Sequence, residues 1–136
     1  MYDHQEIREL LIDTCHSNDL AVQFFEEKLG DKELLELLVR IAIDEEDYGG
    51  DAPMAAGDYI FKYPVEWLEK YEESFVDILK REHSAVRPEN IAMALAKIKS
   101  PAAKTLIERE IKALEYGPRC EKIKIALELY NEQKSK

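Results

Sequence analysis

Two stretches of this chain echo each other 32 residues apart. Ile91, Ala94, Leu95 and Ile98 are matched in order by Ile123, Ala126, Leu127 and Tyr130. Apolar residues at this spacing line one face of an α-helix. A fixed period of 20–50 residues is the mark of stacked helical units, each burying its face on the next. The feature constrains architecture far more tightly than activity.

The rest of the chain reads as helices too. Asp3 and Glu6 form a capping-box pattern, and Ile7, Leu10 and Leu11 carry a first helix to about Asp13. Ser17 is the expected cap of a second, with Ala21, Phe24 and Phe25 on its apolar face and Gly30 in the position of a C-terminal glycine. Asp31 caps a third at once, so the short Gly-Asp junction predicts a tight antiparallel hairpin of helices two and three. Helix three, Leu34 to Ile43, is apolar nearly all round, which predicts neighbours on both sides. After the polar loop 44–51, Asp51 is placed to cap a fourth helix ending near Tyr63. Gly57 in its middle either weakens it by about 1 kcal/mol or permits a close approach. Pro64, Pro88, Ser100-Pro101 and Pro118 open four more, and Gly117 ends the seventh. The tail 132–136 is polar and expected to fray. No segment alternates with period two for long. The expectation is one all-α domain of about eight helices, paired two-three, four-five and six-seven, with one and eight as end pieces.

The back of the chain resembles the HEAT/armadillo class of helical repeats. Its carriers are Val86-Arg87 before a helix, Ile91-x-x-Ala94-Leu95-x-x-Ile98, and Ser100-Pro101 opening the partner helix. The resemblance covers roughly residues 17–132 and implies a right-handed α-α superhelix of antiparallel helix pairs. A generic eight-helix bundle fits the same pattern. The front half departs from the motif, with Asp58 and Tyr59 standing where Ala94 and Leu95 would.

Charge divides the chain. Residues 1–73 carry 20 acidic and 6 basic side chains, a net −14, whereas residues 74–136 carry 9 and 13, a net +4. Such asymmetry points to a basic partner at the front, or simply to a solvated acidic surface. Phosphate would be repelled there, which argues against nucleic acid. The basic run Lys97, Lys99, Lys104, Arg109, Lys112, Arg119, Lys122 and Lys124 is interleaved with glutamates and lacks aromatic residues to stack on bases. Cys15 and Cys120 have no paired spacing and read as reduced, largely buried thiols, as in a cytoplasmic protein. The N-terminus lacks the features of a secretory signal, and no apolar run is long enough to span a membrane.

No motif for catalysis stands out, and no cofactor is expected. His4, His16 and His83 lie on separate elements. The acidic loop lacks a glutamate at the twelfth position of a calcium loop, so no metal is expected. The aromatic cluster Tyr59, Phe61, Tyr63, Trp67 and Tyr71 cannot all point inward, so some rings should sit exposed beside that loop. Tyr and Trp flanked by charge make protein-binding hot spots. The candidate partner-binding residues are therefore Asp44, Glu45, Glu46, Asp47, Tyr48, Asp51, Asp58, Tyr59, Tyr63 and Trp67. A small acidic HEAT-like chain looks like a bacterial immunity protein. The resemblance implies a non-enzymatic inhibitor, monomeric or bound to a basic toxin whose cleft it masks. A scaffold or adaptor module, or a nucleic-acid-associated repeat, is the alternative.

Overall fold

The computed structural model describes residues 2–43, 51–80, 86, 88–114 and 117–134. Among these the chain is all-helical, with α1 His4–Thr14, α2 Asp19–Glu27, α3 Lys32–Ala42, α4 Asp51–Ile60, α5 Val65–Leu68, α6 Glu72–Lys80, α7 Pro88–Lys97, α8 Ala103–Leu114 and α9 Pro118–Lys134. A 3-10 turn, Glu69–Tyr71, joins α5 to α6 without a break, so the two read as one bent helix and the total as eight.

Local chemistry sets the boundaries. Asp3 caps α1, its carboxylate accepting the Glu6 N–H at 3.0 Å. Asn18, not Ser17, caps α2 by accepting the Ala21 N–H at 3.1 Å. Ser17 has φ 62°, a left-handed residue that closes α1 and so cannot take the extended geometry of a cap. Gly30 has no positive φ and does not serve as a left-handed helix stop, whereas Gly117, φ 113°, follows α8 as expected. Ser100 accepts the Ala102 N–H at 3.3 Å in a turn that leads into α8, so Pro101 is not the first helical residue expected there. The regular helix begins only at Ala103. Helix α9 continues through Lys134, further than the frayed tail expected there.

The expected pair six-seven is present as α7 against α8, whereas two-three and four-five are not principal contacts. The principal neighbour of α3 is α4, and α2 rests on α1. Helix α4 touches α1, α3 and α7. Seven of its ten residues are buried, among them Ala52, Ala55, Ala56 and Gly57. Small side chains on several faces are what let one helix accept three neighbours closely. A Cβ on Gly57 would lie 2.6 Å from Cγ1 of Val86, so here glycine serves close approach. Helices α1, α4, α7 and α9 each touch the next, and α3, α6 and α8 each pack on the member that follows them. The echoing stretches are two members of this row. Ile91, Ala94, Leu95, Ile123 and Ala126 are fully buried where α7 meets α9.

The core runs continuously from Ile7 and Leu11 through Phe25, Leu34, Leu38, Ile41, Ile60 and Phe75 to Ile107 and Tyr130. Each fully buried Leu, Ile or Phe contributes roughly 1.5–3 kcal/mol. Among the thiols, Cys120 is buried but Cys15 is exposed, which corrects the expectation for that residue. No helix among the described residues is long and apolar enough to cross a membrane.

Candidate functional site

The expected partner-binding residues separate into distinct environments. Asp44, Glu45, Glu46, Asp47 and Tyr48 lie outside the described residues. Asp51 is exposed at the start of α4, with its carbonyl 3.8 Å from the Cys15 thiol. Asp58 is half-buried and accepts a 2.7 Å hydrogen bond from Asn90, tying α4 to α7. Tyr59 is 6% exposed and stacks on Phe25 with ring centroids 5.0 Å apart. Burial raises its pKa. Tyr63 is fully buried, and burial again pushes its phenol well above the ordinary value. These two rings belong to the core, not to a surface of anchors. Tyr59 sits on the closely packed side of α4, and Tyr63 follows in the turn after that helix, where its ring is covered by the core.

Trp67 is different. Pro64 ends the preceding loop, and the Trp67 and Leu68 N–H groups turn back onto its carbonyl at 3.0 and 3.2 Å. Leu68 is driven fully into the core, which leaves its neighbour Trp67 half-exposed on the rim of the turn. Tyr71, four residues on, lies on the same side of the helix, half-exposed and packed on Phe75 at 6.4 Å between ring centroids. Facing them is the first turn of α3. Between the two elements lies a groove of about 360 Å³, lined by Lys32, Glu33, Leu35, Glu36, Glu66, Trp67, Lys70 and Tyr71.

The α3 wall is held by a double role of Asp31. Its Oδ1 accepts the Leu34 N–H at 3.2 Å as helix cap, and its Oδ2 accepts the Tyr2 hydroxyl. That hydroxyl bond holds the Asp31 carboxyl below its ordinary pKa and pushes the Tyr2 phenol up to about 12. The Tyr2 ring also meets Phe24 edge-on at 6.4 Å, so the N-terminus clips onto α2 and α3 together.

The groove is aromatic, charged and already occupied by cations. The Lys32 ammonium lies 5.2 Å from the Trp67 ring centroid, and that of Lys70 lies 5.4 Å from Tyr71. Both rings thus present their negative faces to positive charge. Of the three carboxylates, Glu36 pairs with Arg40 at 3.0 Å on the exposed side. Glu66 is exposed and has no ion pair among the described residues. Chemically the aromatic faces and carboxylates suit a cation or a planar polar group. Among the described residues no group of three or more His, Cys, Asp or Glu side chains is arranged to hold a metal ion.

Of the residues lining this candidate groove, Trp67 was among those expected from sequence, whereas Lys32, Glu33, Glu36, Glu66 and Lys70 were not. Their one local signal is the four-residue step from Trp67 to Tyr71 beside Glu66 and Lys70. The wall from α3 is 30 or more residues distant in sequence and follows only from packing.

The basic run of the back half is partly consumed inside the fold. Lys97 is half-buried and donates to the Phe61 carbonyl and, at 3.1 Å, to that of Tyr63, and burial lowers its pKa. Arg109 donates to the Leu79 carbonyl at 2.7 Å. Compared with known protein families, with curated proteins and with solved structures, the chain matches none.

Proposed function

We propose that this chain is a protein-binding helical repeat whose acidic N-terminal half engages a basic protein. The form we favour is inhibition: an immunity-type protein in the cytoplasm that masks the basic cleft of a toxin acting on nucleic acid. The observation that carries the reading is the half-exposed Trp67 in a carboxylate-lined groove, on the half of the chain with net charge −14. Aromatic anchors ringed by charge are what protein interfaces use, and complementary charge accelerates encounter.

The HEAT-like arrangement is part of the same proposal. It is supported by the row α1, α4, α7, α9 and by bonds that recur at a spacing of 36 residues: Cys15 to Asp51, Glu26 to Lys62, and Phe61 to Lys97. Such a row is how repeat proteins build an extended binding face. Commitment of Lys97 and Arg109 to backbone carbonyls favours a protein partner over nucleic acid.

The test is capture on immobilised protein at low salt, identification of what is retained, and binding of each purified candidate across a salt series. The expected partner is basic, and its association slows several-fold from about 0.05 to 0.2 M salt and on changing Glu33, Glu36 and Glu66 to Lys. A retained partner whose binding ignores both changes would refute the reading.

A further inference from the structure

We propose that the Trp67 groove is a guanidinium site, taking one arginine side chain of the basic partner onto the indole in place of Lys32. The inference rests on the partner reading above and gives its chemistry at one point. Three observations carry it. First, the groove already holds cations: each of its two half-exposed rings has an ammonium at 5.2–5.4 Å. Second, the cation on Trp67 is loosely held. Lys32 is exposed and has no carboxylate partner among the described residues, so its release breaks one ring contact and nothing else seen there. Third, Glu66 neighbours Trp67 on the rim with an uncommitted carboxylate, so charge complementarity awaits a donor that stacks and bonds at once.

Arginine satisfies all three conditions. Its planar guanidinium lies flat on an indole while its edge donates to a carboxylate in the same plane. An incoming lysine would exchange one ammonium for another and gain little. Leu35 is 1% exposed and forms an apolar floor for the arginine methylenes. The groove's volume of about 360 Å³ suits a side chain, not a helix.

Trp67 is the sole tryptophan of the sequence, so its fluorescence reports on the site directly. The experiment titrates the full chain with N-acetyl-arginine amide, and in parallel with the lysine and the uncharged citrulline analogues. The expected result is a saturable change with arginine, a weaker one with lysine and none with citrulline. Lys32→Ala removes the internal competitor and tightens arginine binding roughly two- to fivefold, whereas Glu66→Gln weakens it by a similar factor. Both residues are exposed, so neither change threatens the fold. Equal responses to arginine and citrulline, or a Lys32→Ala variant that binds arginine less well, would overturn the proposal. A salt-sensitive basic partner indifferent to both substitutions would overturn it too, while leaving the wider reading standing. Arginine binding with no basic partner would overturn the wider reading alone.

Discussion

Tyr63 carries a fully buried hydroxyl with no hydrogen-bond partner among the described residues. A buried polar group left unsatisfied costs about 1–3 kcal/mol, while the ring around it packs as phenylalanine would. Tyr63→Phe should therefore stabilise the fold by about 1 kcal/mol, read as a higher urea midpoint at unchanged slope. A lower midpoint would mean that the hydroxyl has a partner in solution. Lys99 is a second residue at odds with its place. Its φ is 57°, and the Ser100 and Lys99 N–H groups return to the Leu95 and Ala96 carbonyls at 3.1 Å, the pattern of a left-handed helix stop. Glycine adopts this conformation without the Cβ penalty, so Lys99→Gly should add up to about 1 kcal/mol. The same urea measurement decides it. Both residues sit where a rule of residue choice is broken, and neither lies in the groove. Local misfit in this chain therefore does not point to the groove proposed as the binding surface.

At the scale of elements, α4 fits closely against Val86, two residues before α7. Gly57→Ala gains helix propensity of about 1 kcal/mol, yet its methyl would meet Val86 at 2.6 Å. Overpacking of that kind costs about 1–3 kcal/mol, so the net effect should be destabilising. Adding Val86→Ala to Gly57→Ala should recover part of the loss, and a double-mutant cycle by thermal melts measures the coupling. The clip of Tyr2 onto the α3 cap makes a prediction in pH. The folded pKa of Asp31 is depressed, so its contribution is present above the unfolded value near 3.9 and is lost as pH falls through the folded one. That of Tyr2 is raised, so its contribution is present below about 10 and is lost as pH rises toward about 12. The stability gap between wild type and Tyr2→Phe should accordingly be widest between about pH 5 and 9 and close at both ends. No gap at any pH would assign the clip to the ring alone, which the substitution keeps. These elements also show what the sequence could disclose. Caps such as Asp3 and Asp31, proline starts and the echo between α7 and α9 were legible because each is set within a few residues or by repetition. The pairing of α3 with α4 was not. Nothing in the Gly30-Asp31 junction says that the smallness of Ala52, Ala55, Ala56 and Gly57 makes α4 the better neighbour. Tyr59, Tyr63 and Trp67 look alike in sequence, and only packing separates two core rings from one groove ring.

For the whole molecule, the decisive quantity is a net charge of −10 concentrated as −14 in residues 1–73. The ion pairs of that half that join described residues, Glu36 with Arg40 and Glu26 with Lys62, lie at the surface. Surface pairs contribute between 0 and about 1 kcal/mol, too little to neutralise twenty acidic side chains. The folded state therefore holds like charges closer together than the unfolded chain does, and self-repulsion opposes folding. Salt should relieve it, since the screening length falls from about 30 Å at 0.01 M to about 10 Å at 0.1 M. The melting temperature should rise by a few degrees over that range in sodium chloride, because 1 kcal/mol corresponds to about 3–6 °C in a domain of this size. A flat or falling melting temperature would show that the acidic side chains are spaced widely enough to ignore one another, and the surface would then lack the field that the partner reading requires. Binding should respond with the opposite sign, weakening as salt rises. Stability lost to repulsion in the free chain is recovered when a basic surface covers it. The melting temperature should therefore climb on adding the partner, and climb most at low salt, where both the repulsion and the attraction are unscreened.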